Sequence, residues 1–460
     1  MVKLSDKIKS RILQLSLRQI DLGSKKLFQT WWNLLVQDEQ SLLQFINGDS
    51  EKTDNTVVAN MLYVLNNELE KDLYDSLKKL GLPESSISKT AMDAFLPAVT
   101  NQAGYVEMDG ILCQNSPYAS LDPKWVELFL SYVCYQEFPG EIASFGNTPS
   151  IMSLDTNNPV SIAIMGDWGT GVYDDFGFPS PSSLVGRAIK KLNPDITVHL
   201  GDTYYAGSEE QVTKKLLADF PSGSIASFTM NGNHEMFDGA NGYFKTALTH
   251  PVFIKQQHTS YFAILYNDWV ITGLDTAYFD QSTFHLEGAI KDENQLAFIK
   301  SLKINDHQKI ILLTHHAALL IDGSAIIEPL FGQVYKAFGS RYPDYWYYGH
   351  KHNGIVYNNA SAQGAYKCTS GLSPQLRCFG HGSIPIGKAV GLHDGKGNKI
   401  KAVDYYASTA MPNPDNNPGL RNRVLNGFVM LTLSDNKIME QVYEVSADRG
   451  AIPVWSNIPD

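Results

Sequence analysis

Five short stretches of this chain set oxygen and nitrogen donors at the ends of apolar runs. They are Gly166-Asp167-Trp168-Gly169, Gly201-Asp202-Thr203-Tyr204-Tyr205, Gly232-Asn233-His234-Glu235, Thr314-His315-His316 and Gly349-His350-Lys351-His352. Carboxylate, amide and imidazole groups in this mixture are the donors of a metal site. Asp202 has two oxygens, so it can hold one metal ion with each. Taken singly the stretches are weak signals, because a Gly-Asp after a strand is usually a turn and Asn-His is common. Their shared position is the stronger signal: each places a metal-type ligand where a strand gives way to a loop. The glycines that precede four of them are expected to let the backbone turn tightly.

The elements that must hold these loops can be read from the same sequence. Residues 161–165, 196–200, 226–230, 269–274, 310–313 and 345–348 are short apolar runs, several rich in β-branched or aromatic residues, and read as strands. Residues 182–192 read as a helix with Lys190 and Lys191 in its last turn. Residues 428–433 and 438–445, separated by Asp435-Asn436, read as a hairpin. Strands that alternate with helices predict a layered α/β domain over 146–460. A carboxylate at the carboxyl end of a parallel strand sits where open α/β sheets place their ligands. Residues 147–159, rich in Asn, Pro, Ser and Thr, read as a linker. Before it, residues 1–145 read as a helical region, with apolar stripes that predict helices from Leu4, over 25–46, 57–80 and 123–138. No metal-type cluster occurs in that region. Its paired Trp31 and Trp32 are read as core packing, with a protein-partner surface as the alternative.

Composition narrows the function classes. A length of 460 residues is enough for two or more domains. The formal net charge of −11 argues against a broad nucleic-acid footprint or an anionic-membrane patch. A phosphorylated substrate stays open, because bound metal ions dominate their local field. Cys113, Cys134, Cys368 and Cys378 form no Cys-x-x-Cys pair, so zinc-ribbon and thioredoxin readings fail; buried free thiols are expected, with a Cys368–Cys378 bridge as the alternative. No apolar run is long enough to span a bilayer. The amino-terminal residues lead into charged helix and not an apolar signal segment, so a cytoplasmic location, or export without a conventional signal, is expected. Gly169-Thr170-Gly171 begins like a dinucleotide loop, but Asp174 stands where the third glycine belongs. Neither a Walker loop nor a Gly-x-Ser-x-Gly elbow occurs.

In combination the five motifs resemble the calcineurin-like metallophosphoesterases, and within them the purple acid phosphatase branch. The motifs of that branch run Gly-Asp-x-Gly, Gly-Asp-x-x-Tyr, Gly-Asn-His-Glu/Asp, a strand ending in His, and Gly-His-x-His, and all five occur here in order over roughly residues 160–355. The resemblance implies a four-layer αββα sandwich after the all-helical amino-terminal region. It implies two metal ions: one held by Asp167, Tyr205 and His352, a second by Asn233, His315 and His350, and Asp202 between them. A phenolate has to lose a proton with a pKa of about 10, which suits a trivalent ion such as Fe(III). The second set, neutral apart from Asp202, suits divalent Zn, Mn or Fe. Gly169 occupies the place of a histidine in the wider superfamily, so Tyr205 is expected to supply the missing ligand. From the residues alone, either His315 or His316 can be the ligand; the resemblance favours His315.

The activity this implies is hydrolysis of phosphate monoesters, small molecules or phosphoproteins, by a hydroxide generated between two metals. Asn233 and His234 are expected at the substrate phosphate, with His234 stabilising the transition state or protonating the leaving group. Glu235 is expected to orient a neighbouring imidazole. Asp275 is read as structural, Lys351 as either solvated or facing substrate, and Arg377 and His381 as candidate rim groups. No histidine lies between His316 and His350, so the branch's leaving-group histidine has no counterpart there. The alternatives are a nucleotide phosphodiesterase, which shares the same site, and a partner-binding protein in which the metal domain is a scaffold.

Overall fold

The computed structural model describes residues 142–457 apart from 147, 283–284, 395, 397, 418–419 and 421–422, together with 107–108, 111–112, 117–118, 127–128, 131–132 and 135. Two large sheets use strands β1 (Ser150–Ser153), β2 (Val160–Met165), β3 (Ile196–His199), β4 (Ala226–Thr229), β5 (Phe262–Tyr266), β6 (Trp269–Gly273), β7 (Lys309–Thr314), β8 (Tyr345–Tyr348), β9 (Gly354–Tyr357), β10 (Gln375–Phe379), β11 (Val403–Tyr406), β12 (Gly427–Ser434), β13 (Lys437–Ser446) and β14 (Gly450–Ser456). The six-stranded sheet runs β14-β13-β12-β2-β3-β4 and the eight-stranded sheet β11-β9-β10-β8-β7-β6-β5-β1. Strands β2, β3 and β4 pair in parallel, Met165 opposite His199 and His199 opposite Thr229, so their carboxyl ends lie level. Strands β6, β7, β8 and β10 are likewise parallel.

Parallel strands covered on both faces read as continuous apolar runs, which is why these segments show no polar alternation. Ile162, Val198 and Phe228 of the smaller sheet share one buried cluster with Ile271, Leu313 and Tyr347 of the larger one. The helices used below are α1 (Pro181–Leu192), α2 (Asn233–Met236), α3 (Glu293–Ser301) and α4 (Leu330–Ala337). Val185 and Ile189 of α1 pack with Ala163 and Met165 on the outer face of the smaller sheet. Phe298 of α3 and Phe331 of α4 pack with Leu312 and Trp346 on the outer face of the larger one. The layers are therefore helix, sheet, sheet, helix. At the start of α1 the Ser180 hydroxyl accepts from Ser183 N–H, and Asn193 closes the helix in left-handed backbone at φ 49° before Pro194.

Two expectations need correction. The stretch read as a linker contains β1, which pairs in parallel with β5 at the edge of the larger sheet; its polar composition is that of an exposed edge strand. Within the region read as all-helical, Glu107–Met108 and Ile111–Leu112 form a small hairpin. The described residues of the fourth expected helix, 127–128, 131–132 and 135, are helical. The other three expected helices and Trp31 and Trp32 lie outside the described residues, as do Cys113 and Cys134. Cys368 and Cys378 are buried free thiols, as expected.

Candidate metal centre

The five motif loops leave the carboxyl ends of β2, β3, β4, β7 and β8, where backbone bonds tie them into one block. Asp167 N–H donates to the Gly201 carbonyl at 3.0 Å, Gly349 N–H to the His315 carbonyl at 3.0 Å, and His350 N–H to Asp167 Oδ2 at 2.8 Å. Asp167, Asp202 and His350 themselves adopt positive φ, 55°, 75° and 64°. Non-glycine residues use this region sparingly, and it concentrates at functional sites. Of the preceding glycines, Gly201 has the expected turn geometry at φ 101°. Gly232 serves a different need, close approach: a Cβ there would lie 2.2 Å from Asp202 Oδ1.

The donor groups of Asp167, Asp202, Asn233, His315, His350 and His352 converge. Ligand atoms of Asp167, Asp202 and His315 all lie within 4.8 Å of one another. Asp202 faces two ways: Oδ1 is 3.3 Å from His315 Nε2, while Oδ2 is 3.3 Å from a tyrosine hydroxyl. Asn233 Oδ1 is 2.9 Å from His315 Nε2 and 3.0 Å from His350 Nδ1. His352 Nε2 is 3.3 Å from Asp167 Oδ1.

The tyrosine is not the expected one. Tyr204, not Tyr205, sends its hydroxyl to Asp167 Oδ1 at 2.9 Å and to His352 Nε2 at 3.0 Å. Tyr205 instead stacks on Tyr118, with ring centroids 4.7 Å apart. Motif spacing counts positions along the chain, whereas neighbouring side chains point in different directions. The only sequence signal for Tyr204 was that a second phenol stood beside the first.

His315 and His316 are separated by their hydrogen bonds. Both ring nitrogens of His316 are engaged, Nδ1 with Thr276 Oγ1 at 2.7 Å and Nε2 with the His285 carbonyl at 2.8 Å. His315 uses only Nδ1 for the protein framework, donating to the Leu200 carbonyl at 2.9 Å. His234 lies at the edge of the cluster. Its Nδ1 donates to the Tyr205 carbonyl at 2.6 Å, and its Nε2 is 3.7 Å from Asp202 Oδ2.

Other expectations change with the geometry. Glu235 holds no imidazole; its carboxylate receives the backbone N–H of Asp202 at 3.1 Å and of Gly232 at 2.9 Å, which fixes two loops together. Asp275 closes the turn after β6 by accepting from Ala277 and Tyr278 N–H. Arg377 is no rim group: it is buried and paired with Glu440 at 2.9 Å. His381 is also buried. Both side chains belong to β10 or its end, and that strand lies inside the larger sheet.

The electrostatics fit a cation. Burial and the neighbouring Asp167 push Asp202 well above the usual carboxylate range. Burial also works to raise Asp167, but hydrogen bonding and charge from His352 hold it below that range. The Tyr204 phenol is pushed well above its ordinary value by burial, Asp167 and Asp202. Burial lowers His315 far below its ordinary value, so its ring is neutral. With Nδ1 donating, Nε2 presents a lone pair, and that lone pair faces the oxygens of Asn233 and Asp202. Acceptors set against acceptors at these distances are what a cation between them would relieve. The donor set itself, hard oxygens on one side and imidazoles on the other, suits transition-metal binding.

Residues 160–354 match the sequence model of the calcineurin-like phosphoesterases. No curated protein matches the chain. Among solved structures it is similar to GAP50, the anchor in the inner membrane complex of Plasmodium, at 16% identity and TM-score 0.39, over 65% of this chain and 88% of that one. It is similar to PhoD at 9% identity and TM-score 0.38, over 68% of this chain and 69% of that one. It is also similar to Vacuolar Protein Sorting 29 from Cryptosporidium parvum at 12% identity and TM-score 0.26, over 65% and 99%. Residues 160–354 are thus identified as a calcineurin-like phosphoesterase domain, of a family whose members are generally metal-dependent hydrolases of phosphoric esters.

Proposed function

We propose that the domain is a dinuclear-metal phosphatase of the purple acid phosphatase type, acting on phosphate monoesters of small molecules or phosphoproteins. One observation carries this reading: donors from five loops meet around Asp202, with the lone pair of neutral His315 facing the Asn233 and Asp202 oxygens. Asp167, Tyr204 and His352 would hold one ion, Fe(III) because of the phenol. Asn233, His315 and His350 would hold a divalent Zn, Mn or Fe, with Asp202 shared. When bound, two such cations would polarise phosphoryl oxygens and acidify a water.

The chain's own residues supply the rest. Glu235 fixes the Asp202 and Gly232 backbone, so the shared carboxylate cannot swing away. Burial lowers His234 to about 3, so the imidazole is neutral in the structure. The Tyr205 carbonyl fixes the proton on Nδ1, which leaves Nε2 on the side of Asp202. A phosphate dianion placed there favours the charged imidazole, and so loads a group placed to hand a proton to a leaving oxygen.

The test measures metal content and p-nitrophenyl phosphate hydrolysis of protein supplied with iron, zinc or manganese. Asp202→Asn is expected to lower kcat/KM by about a thousandfold or more. Absence of bound transition metal under every supply would end the reading. Faster cleavage of bis-p-nitrophenyl phosphate than of the monoester would reassign the domain as a phosphodiesterase.

A further inference from the structure

We propose that Tyr118, from the region before the phosphoesterase domain, is a positioning residue that decides which of two adjacent phenols faces the carboxylates. Tyr118 is buried, and its hydroxyl donates to the Thr170 carbonyl at 2.7 Å. Its ring stacks on Tyr205, with centroids 4.7 Å apart and planes 14° apart. It also meets the edge of Tyr204 at 6.3 Å. One side chain thus touches the loop that carries Asp167 and the loop that carries Asp202.

Lys215 completes the clamp from another element. Its ammonium lies 4.6 Å from the Tyr205 ring centroid and 5.3 Å from that of Tyr118. The same ammonium donates to the Tyr204 carbonyl at 2.7 Å. A cation over paired rings adds electrostatic attraction to the stacking. Tyr205 is therefore held on the Tyr118 side, and Tyr204 is left on the side of Asp167, Asp202 and His352. Without the Tyr118 ring, Tyr205 loses its stacked partner, and the preference of the loop after Asp202 for presenting Tyr204 is weakened.

The metal arm of the test rests on the dinuclear reading, whereas the exchange arm does not. Full-length wild type, Tyr118→Ala and Tyr118→Phe are compared, with thermal unfolding to confirm that each is folded. In metal-free protein, amide hydrogen exchange of 167–171 and 202–206 is expected to speed up by about tenfold in Tyr118→Ala, the loss of one stacked aromatic contact. Tyr118→Phe keeps the ring, so 202–206 should stay near wild type, while 167–171, which loses the hydrogen bond to the Thr170 carbonyl, should speed up by less than in Tyr118→Ala. In metal-loaded protein, Zn(II) affinity should fall by about the same factor in Tyr118→Ala. Unchanged exchange of both segments in a folded Tyr118→Ala overturns the positioning role. Wild type that binds no metal, with faster exchange still seen in Tyr118→Ala, would sink the phosphatase reading and leave the clamp standing.

Discussion

At the scale of single residues, the site turns on which atoms face inward. Tyr204 and Tyr205 are chemically identical and one position apart, yet only Tyr204 reaches Asp167 and His352. In Fe(III)-loaded protein, Tyr204→Phe should abolish the visible tyrosinate charge-transfer band, and Tyr205→Phe should leave it in place. The opposite pattern in an absorption spectrum would return the ligand role to Tyr205. His199 gives a prediction about pH. Burial lowers it to about 4 from an ordinary 6.5, so the fold holds it neutral. The unfolded chain takes up its proton first, and the associated stability, complete above about 6.5, is lost as pH falls from there toward 4. His199→Leu removes this one proton. Its stability relative to wild type should therefore improve by up to about 1.4 kcal/mol per pH unit between pH 6 and 5. Denaturant midpoints of both metal-free proteins at the two pH values check this; a constant difference would refute it.

At the scale of elements, the centre exists because five loops leave the carboxyl ends of parallel strands, β2, β3 and β4 in one sheet and β7 and β8 in the other. Four of the loops carry a glycine where a Cβ would meet an atom of a neighbouring loop at less than 3 Å. Gly232 is the tightest example, with its would-be Cβ 2.2 Å from Asp202 Oδ1. Gly232→Ala must displace either the Asp202 carboxylate or the start of α2. It should weaken metal binding by about 10–100-fold, the range for disturbing the partners of a metal ligand, with much less change in thermal stability. Calorimetric metal titration beside a melting curve separates the two effects; equal losses in both would make the glycine merely structural. The strands at the motifs were legible as short apolar runs, and residues 345–348 coincide with β8. Strands β5, β9, β10, β11 and β14 passed unmarked, and β1 was read as linker. β5 and β9 are buried four- or five-residue apolar runs, which sequence periodicity does not separate from other buried segments. β10 was masked by Arg377, a charge that reads as exposed until its partner is known.

That partner belongs to the scale of the whole molecule. Arg377 of β10 and Glu440 of β13 join the larger sheet to the smaller one inside the core, and Tyr347 of β8 donates to the same carboxylate at 2.7 Å. Removing one member strands a buried charge, so Arg377→Met should destabilise the protein by roughly 3–5 kcal/mol. The double variant Arg377→Met, Glu440→Leu should recover most of that loss. Denaturant unfolding of the single and double variants decides it, and a double variant no better than the single would argue against the pair.

What the sequence determined by itself was the donor inventory, its order along the chain and the strand before each donor. Those are local properties, set by residue type and by the period of the backbone. Tertiary structure alone decided which phenol faces inward, why His315 and not His316 keeps a lone pair for the centre, and why Arg377 is buried. Each of those outcomes depends on groups far apart in sequence: Tyr118 against Tyr205, the His285 carbonyl against His316, Glu440 against Arg377. Contacts at such separations are fixed only when the two sheets pack, which is why no motif spacing records them.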